Sequence, residues 1–186
     1  MTHNSCPIAL QAKAVSHCFG SKVVLESINL SLREGELTAL IGPNGAGKST
    51  LLQVLQGMLK PSQGFVVADG TPIASCRHRI ALMPQRGRID WSFPITALDM
   101  VRLRKPKTND GRFQISPQEA LARVGLIERS HERLGRLSGG QQQRVLLAAA
   151  IAQNTPTMVL DEPCSALDPP SRDRVIALLQ GLAQEG

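Results

Sequence analysis

The sequence has few aromatic residues, which make up 3% of the chain and include a single tryptophan. So low a content leaves little material for stacking nucleic-acid bases. The formal charge is +6, and Arg102, Arg104, Lys105 and Lys107 form a basic stretch without interleaved aromatic residues. We therefore expect no nucleic-acid partner, and favour a solvated face or a contact with the cytoplasmic loops of a membrane protein.

Paired cysteines and long apolar runs are also missing. The four cysteines are scattered without a C-x-x-C spacing, which argues against a disulfide framework or a zinc cage and favours a reducing compartment. The longest apolar run, residues 145–152, is too short to cross a bilayer, and residues 1–10 do not resemble a signal peptide. We expect a soluble, cytoplasmic chain whose 186 residues form one domain.

The most informative segment present is residues 42–49, called the phosphate loop below. It reads Gly42, Pro43, Asn44, Gly45, Ala46, Gly47, Lys48 and Ser49, followed by Thr50. This is the phosphate-binding loop pattern of a glycine, four variable residues and Gly-Lys-Ser. An apolar run at residues 37–41 precedes it and predicts a buried strand, and leucines at helical spacing follow it.

Strand, loop and helix occur in the order that nucleotide binding requires. Glycines let backbone N–H groups surround an anion, and the helix that follows adds its positive end. Lys48 would reach the β- and γ-phosphates, and Ser49 would bind Mg²⁺. The alternative is an ordinary glycine-rich turn, which the context disfavours. The loop therefore predicts a nucleoside triphosphate site.

The remaining pattern alternates between strands and helices. Strands are predicted at residues 14–19, 27–32, 65–68, 71–73, 80–83 and 157–160. Helix starts are predicted at Thr96, Ser116, Ser138 and Asp168, where capping residues precede helical spacing. The part between Gln85 and Ser138 differs in character and predicts a small helical insertion into an α/β core.

Two acidic residues, Asp161 and Glu162, directly follow the apolar residues 157–160. A carboxylate at the carboxyl end of a core strand lies where open α/β sheets bind ligands. Asp161 could hold Mg²⁺, and Glu162 could act as the general base toward water. A polar turn after a strand is the alternative for this pair taken alone.

Together these motifs resemble those of the ATP-binding subunits of ABC transporters. The match comprises residues 42–50, Gln85, the Leu-Ser-Gly-Gly-Gln run at 137–141, residues 157–162 and residues 165–168. The resemblance implies a P-loop (RecA-like) core with an N-terminal antiparallel β subdomain and an inserted helical subdomain. It implies one domain over 1–186, with 1–85 and 142–186 as the core and 86–141 as the helical signature subdomain.

The resemblance also implies roles for individual residues. Phe19 would stack on adenine, unless it is a core aromatic at a strand end, and Gln85 would contact Mg²⁺ and the attacking water. Asp168 would serve communication between subunits, and a plain helix cap is the alternative. The signature run would bind the γ-phosphate held by a second copy of the chain, through Ser138, Gly139, Gly140 and Gln141.

A narrower resemblance lies in residues 83–86 and 89–96, which include Trp91. These runs are similar to the ATP-binding subunits of manganese, zinc and iron importers, although packing of the insertion could also explain them. The resemblance implies ATP and Mg²⁺ as ligands. It implies integral membrane permease subunits and, indirectly, a substrate-binding protein as partners, with the chain at the cytoplasmic face of the membrane.

One departure concerns the C-terminal part. Members of the family continue through another strand to a switch histidine that contacts the γ-phosphate, whereas no histidine follows Glu162 here. The missing strand would leave one flank of the core sheet uncovered. A truncated ATP-binding module with little or no hydrolysis is therefore the alternative to an importer ATPase. A soluble ABC protein of translation or DNA repair is disfavoured, because no tandem cassette or coiled-coil insertion is present.

Overall fold

The structure, a computed structural model, describes residues 8–103 and 115–185. Three residues of the basic stretch, Arg104, Lys105 and Lys107, lie outside this part. Contacts between Cα atoms divide the chain into two units, Met1–Ile80 with Gln180–Gly186 and Ala81–Leu179. Among the described residues, no helix combines the length and the apolar character that a membrane span needs.

Strands and helices are interspersed along the chain, in agreement with the α/β prediction. The strands are β1 (Ile8–Phe19), β2 (Lys22–Arg33), β3 (Gln63–Ala68), β4 (Thr71–Pro72), β5 (Ile80–Met83) and β6 (Thr157–Leu160). The helices are α1 (Lys48–Leu55), α2 (Ile73–Cys76), α3 (Ala97–Leu103), α4 (Pro117–Arg123), α5 (Gly139–Ile151) and α6 (Pro169–Glu185).

The first unit contains a four-stranded antiparallel sheet in the order β2-β1-β3-β4. The strict alternation at residues 27–32 predicts a half-buried antiparallel strand, and β2 confirms it. The apolar side chains of that run are partly covered, namely those of Ile28, Leu30 and Leu32. The polar side chains between them are exposed, namely those of Ser27, Asn29 and Ser31. The antiparallel N-terminal sheet is thus present as predicted.

The turn between β3 and β4 has the conformation that its sequence favours. Asp69 and Gly70 have φ angles of 44° and 74°. Two successive left-handed residues form the turn whose twist matches a β-hairpin, and Asp-Gly is a preferred pair for it. The hairpin predicted from these two residues is confirmed.

Gly64 lies opposite a bulge in β1 and allows a close approach of two backbones. Its φ is +75°, and a Cβ there would lie 2.3 Å from the carbonyl oxygens of both Lys13 and Ala14. Gly70 has almost the same φ, +74°, but a Cβ there would have no other atom within 4 Å. Substitutions at the two glycines therefore distinguish the cost of a steric clash from the cost of the left-handed conformation.

We expect Gly64→Ala to destabilise the fold much more than Gly70→Ala. The positive φ should cost each variant about 1–2 kcal/mol, and the overlap with backbone atoms should add about 1–3 kcal/mol or more at Gly64 alone. Urea unfolding of both variants measures the difference. Equal losses would show that β1 moves away from β3 without cost.

In the second unit, helices α3, α4 and α5 pack around a common apolar core. Two predicted helix starts are confirmed by their caps. The Glu119 N–H donates to Ser116 Oγ at 3.1 Å, and the Asp99 N–H donates to Thr96 Oγ1 at 3.2 Å. The hydrogen bonds from Thr96 lower the pKa of Asp99. The buried core includes Leu98, Val101, Leu121, Leu134, Val145 and Leu146.

The prediction of a buried strand at residues 37–41 is wrong. The segment belongs to no helix or strand, and Leu37, Leu40 and Ile41 are 48%, 44% and 90% exposed. An extended apolar run becomes a strand only when a neighbour pairs with its backbone, and the described strands pair elsewhere. Apolar character alone therefore did not determine the conformation.

Candidate functional site

The phosphate loop is folded around the side chain of Lys48. Its Nζ donates to the carbonyl oxygens of Gly42 and Pro43, each at 2.8 Å. Helix α1 begins at Lys48, as predicted, so the unpaired N–H groups of its first turn lie at the loop. The loop thus combines a cation with a helix N-terminus, which suits a bound phosphate.

Gly47 brings the phosphate loop against β2. Its φ is +86°, and a Cβ there would lie 2.9 Å from the Val24 carbonyl oxygen and 3.1 Å from Leu25 Cδ2. Gly45 also has a positive φ, +82°. Two left-handed residues allow the tight turn, and the missing side chain at Gly47 allows the close packing. Gly45 and Gly47 therefore have specific backbone reasons for being glycine.

Phe19 ends β1 with 53% of its surface exposed. Its ring meets the ring of His17 edge to face, with centroids 4.7 Å apart. Because Phe19 is exposed, the alternative of a buried core aromatic does not hold. An exposed ring at a strand end is available for stacking on a planar ligand.

Gln85 and Glu162 meet in the second unit. Gln85 Nε2 donates to Glu162 Oε2 at 3.0 Å, across 77 positions of sequence. Strand β6 ends directly before Asp161, whose N–H donates to the Met83 carbonyl oxygen at 3.1 Å. Asp161 is 9% exposed, whereas Glu162 is exposed and has a positive φ of 53°. Glu162 can therefore contact solvent water while an amide orients its carboxylate.

The signature run begins helix α5 with a complete capping box. Ser138 Oγ accepts from the Gln141 N–H at 3.3 Å, and Gln141 Oε1 accepts from the Ser138 N–H at 2.8 Å. The Gln141 side chain therefore caps the helix. Gly139 and Gly140 occupy the first turn, where backbone N–H groups have no partner inside a helix. These N–H groups suit an anion.

Arg86 and Gln142, the residue directly after the signature run, form contacts that the sequence did not reveal. Arg86 Nε and Nη2 donate to Gln142 Oε1 at 2.8 and 2.6 Å, and Gln142 Nε2 donates to the Leu134 carbonyl oxygen at 3.1 Å. Trp91 Nε1 donates to the Arg86 carbonyl oxygen at 3.1 Å. The residue after Gln85 is thus tied to α5. Sequence reasoning missed this because the partners lie 56 positions apart.

Asp168 caps helix α6, as its position before Pro169 predicts. Its Oδ2 accepts from the Ser171 N–H at 3.3 Å. Hydrogen bonding from Ser171 lowers the pKa of the Asp168 carboxyl group. The capping alternative is confirmed, and the role between subunits stays a prediction.

Comparison with known proteins extends the match over most of the chain. A model described as ABC transporter matches residues 25–165. A manganese transport system ATP-binding protein of Bacillus subtilis is 37% identical, covering 92% of this chain and 71% of that protein. A zinc transport system ATP-binding protein of Treponema pallidum is 36% identical, covering 96% of this chain and 69% of that protein.

The solved structures agree with the sequence comparison. One is a dimeric ATP-binding cassette in a post-hydrolysis state with ADP and phosphate. It is 30% identical, with a TM-score of 0.79, and the match covers 95% of this chain and 83% of that one. The predicted nucleotide-binding fold is thereby confirmed.

Proposed function

The chain belongs to the ABC transporter family, whose cassettes are transport ATPases, and we propose that it binds and hydrolyses ATP to energise import of a divalent metal ion. The observation that best supports hydrolysis of ATP is the hydrogen bond from Gln85 Nε2 to Glu162 Oε2 at 3.0 Å. It orients an exposed carboxylate, which is what a general base for water requires. Manganese or zinc as cargo is supported by the names of the two relatives.

ATP binding is assigned to the phosphate loop. Lys48 neutralises the β- and γ-phosphates, the backbone N–H groups of the loop and of α1 bind their oxygens, and Phe19 stacks on adenine. Magnesium is proposed to be held by Ser49, Gln85 and Asp161. Hydroxyl, amide and carboxylate oxygens fit this hard cation, which when bound neutralises charge on the phosphates.

A second copy of the chain is the proposed partner for ATP. The N–H groups of Gly139 and Gly140, with Ser138, would contact the γ-phosphate bound by that copy, and Asp168 would contribute to communication between the copies. The dimeric cassette among the solved structures supports this arrangement. We propose that the two copies act on membrane permease subunits at the cytoplasmic face of the membrane. A substrate-binding protein would deliver the metal.

Uptake of radioactive manganese and zinc tests the proposed function. Cells that lack the protein should take up less of one metal, and the unaltered gene should restore uptake whereas Glu162→Gln should not. Glu128→Gln, which changes an exposed glutamate on a short helical turn, is the matched control. Normal uptake of both metals without the protein would refute manganese and zinc as its cargo.

The second measurement is of ATP binding and ATP hydrolysis by the purified protein. Hydrolysis of ATP with normal metal uptake would point to another cargo or to a non-transport role. Binding of ATP without hydrolysis would instead favour the alternative of a non-hydrolysing module.

A further inference from the structure

Gln143 is a buried side chain that contacts the backbone of Glu162. It lies on α5 with 1% of its surface exposed. Its Nε2 donates to the Glu162 carbonyl oxygen at 2.7 Å. The same carbonyl accepts from the Ser165 N–H at 3.1 Å, so two donors fix the orientation of this peptide group.

Glu162 needs such support because its backbone conformation is unfavourable. Its φ of 53° lies in the left-handed region, which non-glycine residues rarely adopt. A residue persists there only when surrounding contacts hold it. Relaxation toward negative φ would swing the side chain, and the carboxylate would no longer meet the Gln85 amide.

A glutamine at this buried position is not explained by packing. Within the described part of the chain, Gln143 Oε1 is buried without a hydrogen-bond partner. An unpaired buried acceptor destabilises a fold, so an apolar side chain of equal size would suit the core better. What the glutamine supplies is the N–H donor directed at Glu162.

We propose that Gln143 is a positioning residue for Glu162. This proposal rests on the proposed role of Glu162 in hydrolysis. Its hydrogen bond holds the Glu162 backbone in the left-handed conformation and so keeps the carboxylate against Gln85. Because Gln143 lies on the helix that begins with Gly139 and Gly140, the geometry of Glu162 depends on the position of α5.

Gln143→Met tests the hydrogen bond with little change in side-chain volume. The matched control is Gln153→Met, because Gln153 Nε2 also donates to a backbone carbonyl, that of Ala149 at 3.0 Å, beyond the other end of α5. We expect hydrogen exchange in residues 161–165 to become about tenfold faster in Gln143→Met, the effect of losing one buried hydrogen bond. The control should leave this segment unchanged.

The kinetic result should separate positioning from ATP binding. We expect kcat for ATP hydrolysis to fall about tenfold or more in Gln143→Met while KM stays within about twofold. In a protein that already carries Glu162→Gln, adding Gln143→Met should cause no further loss. A rise in KM with unchanged kcat, or full additivity with Glu162→Gln, would overturn the proposal.

Hydrogen exchange also keeps the two proposals distinguishable. It does not require turnover, so it reports on the Gln143 contact even if the unaltered protein proves inactive. In that case the proposed function fails while the positioning contact stands. Unchanged exchange in residues 161–165 of Gln143→Met would instead refute the contact, whatever the rate of hydrolysis.

Discussion

Lys48→Ala is expected to weaken ATP binding about 100-fold or more, since hydrogen bonds to charged groups contribute about 1.5–3 kcal/mol each. In the structure Lys48 Nζ donates to the carbonyl oxygens of Gly42 and Pro43. The substitution therefore removes both the cation that we propose to bind the phosphates and the side chain that holds the loop in shape. The thermal shift caused by ATP and equilibrium binding of a fluorescent ATP analogue both measure this loss.

The control is Lys60→Ala, which removes an exposed lysine of the same unit. It should bind ATP like the unaltered protein. The melting temperature without ATP should change little in Lys60→Ala, and the loss of two loop hydrogen bonds can lower it in Lys48→Ala. The effect of ATP is therefore measured as the shift from each variant's own ATP-free value. If Lys48→Ala bound ATP as tightly as Lys60→Ala, the loop would not be the nucleotide site, and the proposed function would lose its first step.

Local sequence signals predicted the helix starts correctly because caps are local interactions. Ser138 and Gln141 lie three positions apart, and both bonds of a capping box form between them. Ser116 Oγ likewise accepts from the Glu119 N–H, three positions away. Backbone N–H groups at a helix start find partners within one turn, so a short window of sequence contains the information.

Contacts between distant segments could not be predicted in this way. The apolar residues 37–41 have strand-like composition, yet a strand needs a neighbour that no local pattern specifies. Gln142 and Gln143 look like ordinary polar helix residues. Their partners, Arg86 and the Glu162 carbonyl, lie 56 and 19 positions away.

The positive φ of Glu162 has no sequence signal either, because it is imposed by contacts with other segments. The pattern of residues 157–162 supplied Glu162 as a candidate, the resemblance to a family supplied Gln85, and the structure added how they are held. The predicted roles of these two residues in hydrolysis now depend on experiment.

Glu162→Gln should separate binding of ATP from its hydrolysis. The amide has the shape of the carboxylate and can still accept from Gln85 Nε2, which donates to Glu162 at 3.0 Å. It cannot take a proton from water, so we expect kcat to fall about 10²–10⁴-fold. The affinity for ATP should stay close to that of the unaltered protein, because the phosphate loop is unchanged. Steady-state phosphate release and equilibrium ATP binding provide the two measurements.

Glu128→Gln serves as the matched control and should hydrolyse ATP at the normal rate. A Glu162→Gln variant with normal turnover would exclude Glu162 as the general base. Loss of ATP binding in the same variant would instead assign Glu162 to the nucleotide site itself. If the ATP-loaded variant also forms a stable dimer that the unaltered protein forms only transiently, then hydrolysis is the step that separates the two copies. That result would connect the chemistry at Glu162 with movement of the transporter.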